Sequence, residues 1–194
     1  MEDTDISNRC PWCGSDPIYV NYHDNEWGRP ERDPRKLFEL LILESFQAGL
    51  SWITILRKRD GFRAAFHGFD PETISGWTEA EVARLLENPA IVRHRGKIES
   101  TIRGAEAFLR IEAAVGFSPF LWSFTGGQPL QPRPARMAEV PGQTAQSLAM
   151  SKALKREGFN FVGPTITYAF MQASGMVNDH LVTCPKHDEI AGLA

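Results

Sequence analysis

Three observations in the sequence of 194 residues predict an all-α fold. Apolar residues recur at helical spacing behind residue types that cap helices. No convincing β-hairpin signal interrupts them. No internal repeat suggests a solenoid. The elements follow in order. Segment 33–49 opens with Asp33 as N-cap and Pro34 at the first helical position, then Leu37, Leu40 and Leu41 at helical spacing. Segment 51–69 has Ser51 as its cap and a break expected at Asp60–Gly61. Segment 70–88 offers two cap-and-helix units, starting at Asp70 and Thr78. Segment 95–116 is the longest periodic stretch, with Ile98, Ile102, Ala105, Phe108 and Leu109 on one face. Residues 124–142, rich in Pro, Gly and Gln, read as a long surface connection. Helices follow over 144–158 and 163–175.

Too little chain follows the 124–142 loop for an independent core, so a single all-α domain over 1–194 is expected, with 1–8 and 186–194 flexible. An apolar share of 42% and a charged share of 23% are ordinary for a soluble globular protein. No apolar run is long enough for a membrane span, and the polar, acidic start lacks the apolar core of a signal peptide, which makes cytoplasmic residence the expectation. There, three cysteines argue for metal ligands or free thiols rather than disulfides. The net charge of −3 does not advertise nucleic-acid binding, but phosphate contact depends on local patches and is not excluded by it.

Three stretches carry chemistry. In "MVNDHLVTCPKH", His180 and Cys184 lie four apart, so one helical turn would put both on one face. Imidazole and thiolate are the usual zinc ligands, but two ligands are not a site. The turn "EGFNFVGPTI" between the last two helices has Gly158 placed to end one helix and Gly163–Pro164 to begin the next. Free N–H groups at that helix N-terminus could take a phosphate, with Lys152, Lys155 and Arg156 alongside. An ordinary helix–helix turn is the plainer alternative. A second basic stretch, with Arg93, His94, Arg95, Lys97 and Arg103, favours the DNA-gripping reading.

Glu44, in the third stretch, sits inside an otherwise apolar helix, where a carboxylate is costly without a partner and its pKa tends to rise. Tyr19, Tyr22 and Trp27 cluster upstream and Trp52 follows downstream. Trp27 is expected in the core. Tyr22, Trp52 and Glu44 are the residue types that stack a planar base and bond its edge. "QAGL" (47–50) could push an apolar wedge into a base stack, although by itself it reads as a helix end with a buried Leu50.

The stretches "YHDNEWG", "FQAGLSWITIL", "IVRHRGKI", "SKALKREGFNFVG" and "NDHLVTC", in that order from about Arg9 to Cys184, resemble the 3-methyladenine DNA glycosylase I family of the helix-hairpin-helix superfamily. The resemblance implies release of 3-methyladenine, with 3-methylguanine as a further candidate, from double-stranded alkylated DNA by a monomeric enzyme. It also implies a flipped-base pocket and a structural Zn2+ joining the two chain ends. The zinc ligands carried over are Cys10, His23, His180 and Cys184. Spacing alone would instead pair Cys10 with Cys13 in "CPWC". On the resemblance Cys13 is a spectator, and His187 is the residue that would replace His23 were the set wrong. Glu44 matches the base-recognising carboxylate and is the candidate catalytic-site residue. Tyr22 and Trp52, and less directly Trp12, match pocket aromatics. Gly49 and Leu50 match the segment entering the duplex, and Gly163 matches the phosphate-gripping hairpin. Ser45, where a glycine is common in the family, departs from the pattern beside Glu44. No lysine is placed as a Schiff-base nucleophile, so strand cleavage is not expected. A non-catalytic zinc-stabilised DNA-binding module and a zinc-dependent hydrolase are the rival readings. The first predicts no base release, and the second needs an open metal position.

Overall fold

Helix starts follow the caps. The structure, a computed structural model, describes residues 8–193. Pro17–Asn25 (α1) begins behind Asp16, whose carboxylate accepts from the Ile18 amide. Pro34–Gln47 (α2) begins behind Asp33, which accepts from the amides of Arg35 and Lys36. Trp52–Ala65 (α3) follows Ser51, whose hydroxyl pairs with Thr54 and caps no amide. Pro71–Ser75 (α4) starts at Asp70, and Glu79–Leu86 (α5) starts at a reciprocal Thr78–Glu81 box. Arg95–Ala114 (α6) and Phe117–Trp122 (α7) complete the middle of the chain. Ala145–Glu157 (α8), Pro164–Ala173 (α9) and Lys186–Ala191 (α10) follow. The architecture is helical, with a single isolated β-bridge, Leu130 to Val177, among the described residues.

Helix α2 runs through the centre, packed by α3, α6 and α9. Residues 41–46 are all buried, so this stretch is covered on every side. Leu37, Phe38, Leu41, Ile42 and Phe46 meet Ile98 and Phe108 of α6 and Phe170 of α9. The rings of Phe38 and Phe108 lie 5.2 Å apart. Of the face expected on α6, Ile98, Ala105 and Phe108 are fully buried and Ile102 and Leu109 partly so.

Two expectations are corrected. The break at Asp60–Gly61 does not occur, because α3 runs through it. Gly61 serves a close approach instead: a Cβ there would lie 2.6 Å from the Ala90 carbonyl oxygen. Segment 186–194, expected to be flexible, contains α10, which docks through buried His187 and Ile190. The Arg29–Glu189 ion pair ties α10 to the chain after α1. The matching expectation for 1–8 falls, except for Asn8, outside the described residues. The loop 124–142 runs over the surface as expected, but it is pinned. Leu130 N donates to Met176 O and Asn178 N donates to Leu130 O, each at 2.9 Å. No helix of the described residues is long and apolar enough to cross a membrane.

Candidate active site and metal cluster

A cavity of about 320 Å³ opens where α1, α2 and α9 meet, a size suited to a small planar ligand. Glu44 reaches it from α2, Trp12, Tyr19 and Tyr22 from the N-terminal segment, and Trp52 from the start of α3. The Tyr22 and Trp52 rings lie 5.5 Å apart and tilted by 47°, so their faces do not stack on one another. Trp27, expected in the core, is buried but also borders the cavity.

Glu44 is 4% exposed. No side chain among the described residues hydrogen-bonds its carboxyl, and desolvation raises its pKa from 4.5 to about 8. The central position of α2 dictates this state: both flanks of Glu44 are core, so its head has only the cavity to face. Trp52 Nε1 is likewise buried with no protein partner among the described residues. A buried donor and a buried carboxyl without partners at one cavity are groups prepared for a ligand's polar edge.

Several lining residues were not singled out in the sequence. Thr165, Tyr168, Ala169 and Gln172 face the cavity from one side of α9. Asp179 is 2% exposed; its Oδ2 accepts from Tyr168 Oη at 2.6 Å and from Gln172 Nε2 at 2.8 Å, while its Oδ1 is buried without a partner. Burial first, and then the bond to Asp179, pushes the Tyr168 phenol up, which keeps it a donor. Tyr168 and Gln172 are four apart on a helix, a spacing visible in the sequence; their shared partner is not. Met137, Val140, Pro141 and Gly142 come from the 124–142 loop to the cavity wall, a path that loop composition does not encode.

Behind the aromatic wall, Cys10, His23, His180 and Cys184 converge with their ligand atoms all within 4.8 Å of one another, and all four are buried. Cys10 Sγ lies 3.6 Å from His180 Nδ1, and Cys184 Sγ lies 3.6 Å from both His180 Nδ1 and His23 Nε2. Tetrahedral zinc, with bonds of about 2.3 Å to sulfur and 2.0–2.1 Å to nitrogen, requires S···N separations of about 3.5–3.6 Å. The outer partners orient both rings. Asp24 and the Trp27 carbonyl can only accept, so His23 donates from Nδ1 at 2.7 Å and His180 from Nε2 at 3.2 Å. The remaining nitrogens, which face the cluster, therefore carry lone pairs, as metal ligation needs. Arg9 in turn holds Asp24.

Cys13 lies outside the quartet and donates to the Cys10 carbonyl at 3.2 Å. His187 is also outside; its Nδ1 pairs with Asp188 at 2.7 Å. Trp12 packs on His23 with centroids 5.3 Å apart, and Trp27 packs on His180 at 4.6 Å, so the cluster buttresses two rings that border the cavity.

Two exposed turns flank the cavity. Gly49 follows α2 with φ of +83° and open space where a Cβ would stand. This left-handed turn presents Leu50 to solvent at 40% exposure, not buried as a plain helix end would have it. Gly163 begins α9 with no atom within 4 Å of a notional Cβ, so a ligand can approach the helix N-terminus. Val162 behind it is fixed by Ser151 Oγ at 2.6 Å and Thr167 Oγ1 at 3.2 Å, both donating to its carbonyl. Lys152, Lys155, Arg156, Arg93 and Arg103 are all exposed, in keeping with a basic surface. Lys97 departs from that expectation: it is buried and belongs to no surface patch.

A family model of methyladenine glycosylases matches residues 12–187. DNA-3-methyladenine glycosylase 1 of Escherichia coli (strain K12) is 52% identical over 177 residues, covering 91% of this chain and 95% of that protein. A crystal structure of 3-methyladenine DNA glycosylase I is 53% identical, with a TM-score of 0.91, over 92% of this chain and 99% of the other. A crystal structure of a tyrosine-to-phenylalanine variant of 3-methyladenine DNA glycosylase I in complex with 3-methyladenine is 40% identical, with a TM-score of 0.90, over 93% of this chain and 97% of the other.

Proposed function

The chain belongs to the methyladenine glycosylase family, and from that premise we propose that it flips 3-methyladenine out of alkylated double-stranded DNA and releases it by hydrolysis of the glycosidic bond. It acts as a monomer and leaves the strand uncut. The observation that carries this reading is Glu44, a buried carboxyl facing an aromatic-walled cavity with no partner among the described residues.

Methylation at N3 makes adenine cationic while it is still part of the nucleotide, so the base leaves as a neutral molecule. The enzyme's task is then mainly to extract and hold the lesion while water attacks the sugar. Without a counter-charge beside it, burial holds the Glu44 proton up to about pH 8. A cationic base supplies the missing counter-charge and lowers the Glu44 pKa, so the proton passes to water and the carboxylate pairs with the base. An undamaged neutral base gives no such return for ionising Glu44. Tyr22 and Trp52 add a cation–π preference of the same sign, and Trp52 Nε1 offers a donor to the ring edge. The same carboxyl and ring walls suit 3-methylguanine, also cationic in DNA.

Flipping costs about a few kcal/mol. Insertion of Leu50 from the Gly49 turn and phosphate contact at Gly163 would offset it. No lysine lines the cavity among the described residues, which supports hydrolysis without a Schiff base. Cys10, His23, His180 and Cys184 would hold a structural Zn2+; four protein ligands leave it no open position, so it clips the chain ends and braces the Trp12 and Trp27 walls.

Chromatography of bases released from methylated duplex DNA tests the reading. Wild type should release 3-methyladenine, with 3-methylguanine measured in the same run, and Glu44→Gln should lose most of that release. A non-catalytic DNA-binding module would release neither base.

A further inference from the structure

Lys97 lies in a basic stretch, yet it is 6% exposed and its ammonium bonds to backbone carbonyls rather than to a carboxylate. Burial lowers its pKa, and a methionine would fill the same space without that cost. Its Nζ donates to Phe46 O at 2.8 Å and Ala48 O at 2.7 Å. These carbonyls stand at the negative end of α2, where a cation is favoured. Ala48 is one residue before Gly49 and two before Leu50. The turn is closed on its other side by Leu50 N donating to Gln47 O and Gln47 Nε2 donating to Leu50 O, each at 2.6 Å. Lys97 also lies 5.7 Å from the ring of Phe161, in the turn between α8 and α9.

The geometry points to Lys97 as a positioning residue that holds the Ala48–Gly49 turn so that Leu50 projects into the duplex. The inference rests on the reading of Leu50 as the wedge. Lys97 is not among the residues lining the base cavity, so it acts only through the turn. Without it the last carbonyls of α2 lose their donors, the turn relaxes, and Leu50 no longer meets the gap left by the flipped base.

The test compares wild type, Lys97→Met, Leu50→Ala and the double variant on duplex DNA treated with a methylating agent, together with binding of free 3-methyladenine. Lys97→Met should lower kcat/KM for base release about tenfold or more, as misplacement of about 1 Å commonly does. It should leave the Kd for free 3-methyladenine within about twofold, because the base pocket itself is untouched. In the Leu50→Ala background Lys97→Met should add less than about twofold, since the residue it positions is gone. Lys97→Arg, which keeps the charge and donors on a bulkier head, guards against a variant that does not fold. It should fold, lose part of the duplex activity, and add nothing to Leu50→Ala. Equal losses on free base and duplex, or losses that multiply with Leu50→Ala, would overturn the inference. Undiminished release by Leu50→Ala would instead sink the wedge reading. Impaired Leu50→Ala beside an unimpaired Lys97→Met would sink the role of Lys97 alone.

Discussion

Replacing Glu44 by glutamine should stabilise the ligand-free protein, and more so as the pH rises. The folded carboxyl titrates near 8 instead of 4.5 because burial disfavours its charged form. Below about pH 4.5 the group is protonated in both states and costs nothing. Between 4.5 and 8 the unfolded chain ionises freely while the folded one keeps its proton, so stability falls with rising pH. At about 1.4 kcal/mol per tenfold change in proton affinity, the loss is on the order of 3 kcal/mol at pH 7 and 5 kcal/mol above pH 8. Glutamine has the same shape and no titration, so the variant lacks this slope. Urea and thermal unfolding of both proteins at pH 5, 7 and 9 isolate the effect, because every other group is common to the pair. For a chain of this size, 1 kcal/mol shifts the melting temperature by about 2–4 °C, so the gap should widen by roughly 10 °C across the series. Stability curves that stay parallel from pH 5 to pH 9 would refute the desolvated-carboxyl argument. A variant that is more stable yet inactive is the expected signature of a group kept for its ligand at the cost of the fold.

Two further outcomes follow from the same geometry. If the cationic lesion pairs with ionised Glu44, kcat/KM for base release should rise with pH and level off near 8, and the residual activity of Glu44→Gln should lack that rise. Chelation should loosen or unfold the protein, and His23→Ala or Cys184→Ser should release the metal while Cys13→Ser and His187→Ala retain it; metal content by atomic absorption beside a melting curve decides the ligand set.

Helix boundaries were legible because capping acts within one turn. Asp33–Pro34, Asp70–Pro71 and the Thr78–Glu81 box each satisfy amides two or three residues away, and each starts a helix where it stands. Gly61 misled for the opposite reason. Its role is set by Ala90, twenty-nine positions later, and nothing local distinguishes a glycine kept for close approach from one that ends a helix. Glu44 was legible as an anomaly, a charge in an apolar helix. Lys97 was not, because its neighbours Arg93, His94, Arg95 and Arg103 made it read as one of a solvated group. Spacing offered Cys13 as readily as His23 beside His180 and Cys184; the family resemblance named His23, and the fold brings it to 3.6 Å from a thiol 161 residues away.

By itself the sequence determined most of the long helices, the caps at Asp33, Asp70 and Thr78, and the residue types available for a base pocket and a metal cluster. Those depend on periodicity and on contacts within a few residues. Only the tertiary structure decided that Leu50 faces solvent, that Lys97 turns inward, that Asp179, Met137 and residues 140–142 reach the cavity, and that Glu44 has no hydrogen-bond partner among the described residues. Each of these is a matter of burial, and burial belongs to the packed whole: the desolvation that sets a charge's cost comes from chain segments distant in sequence.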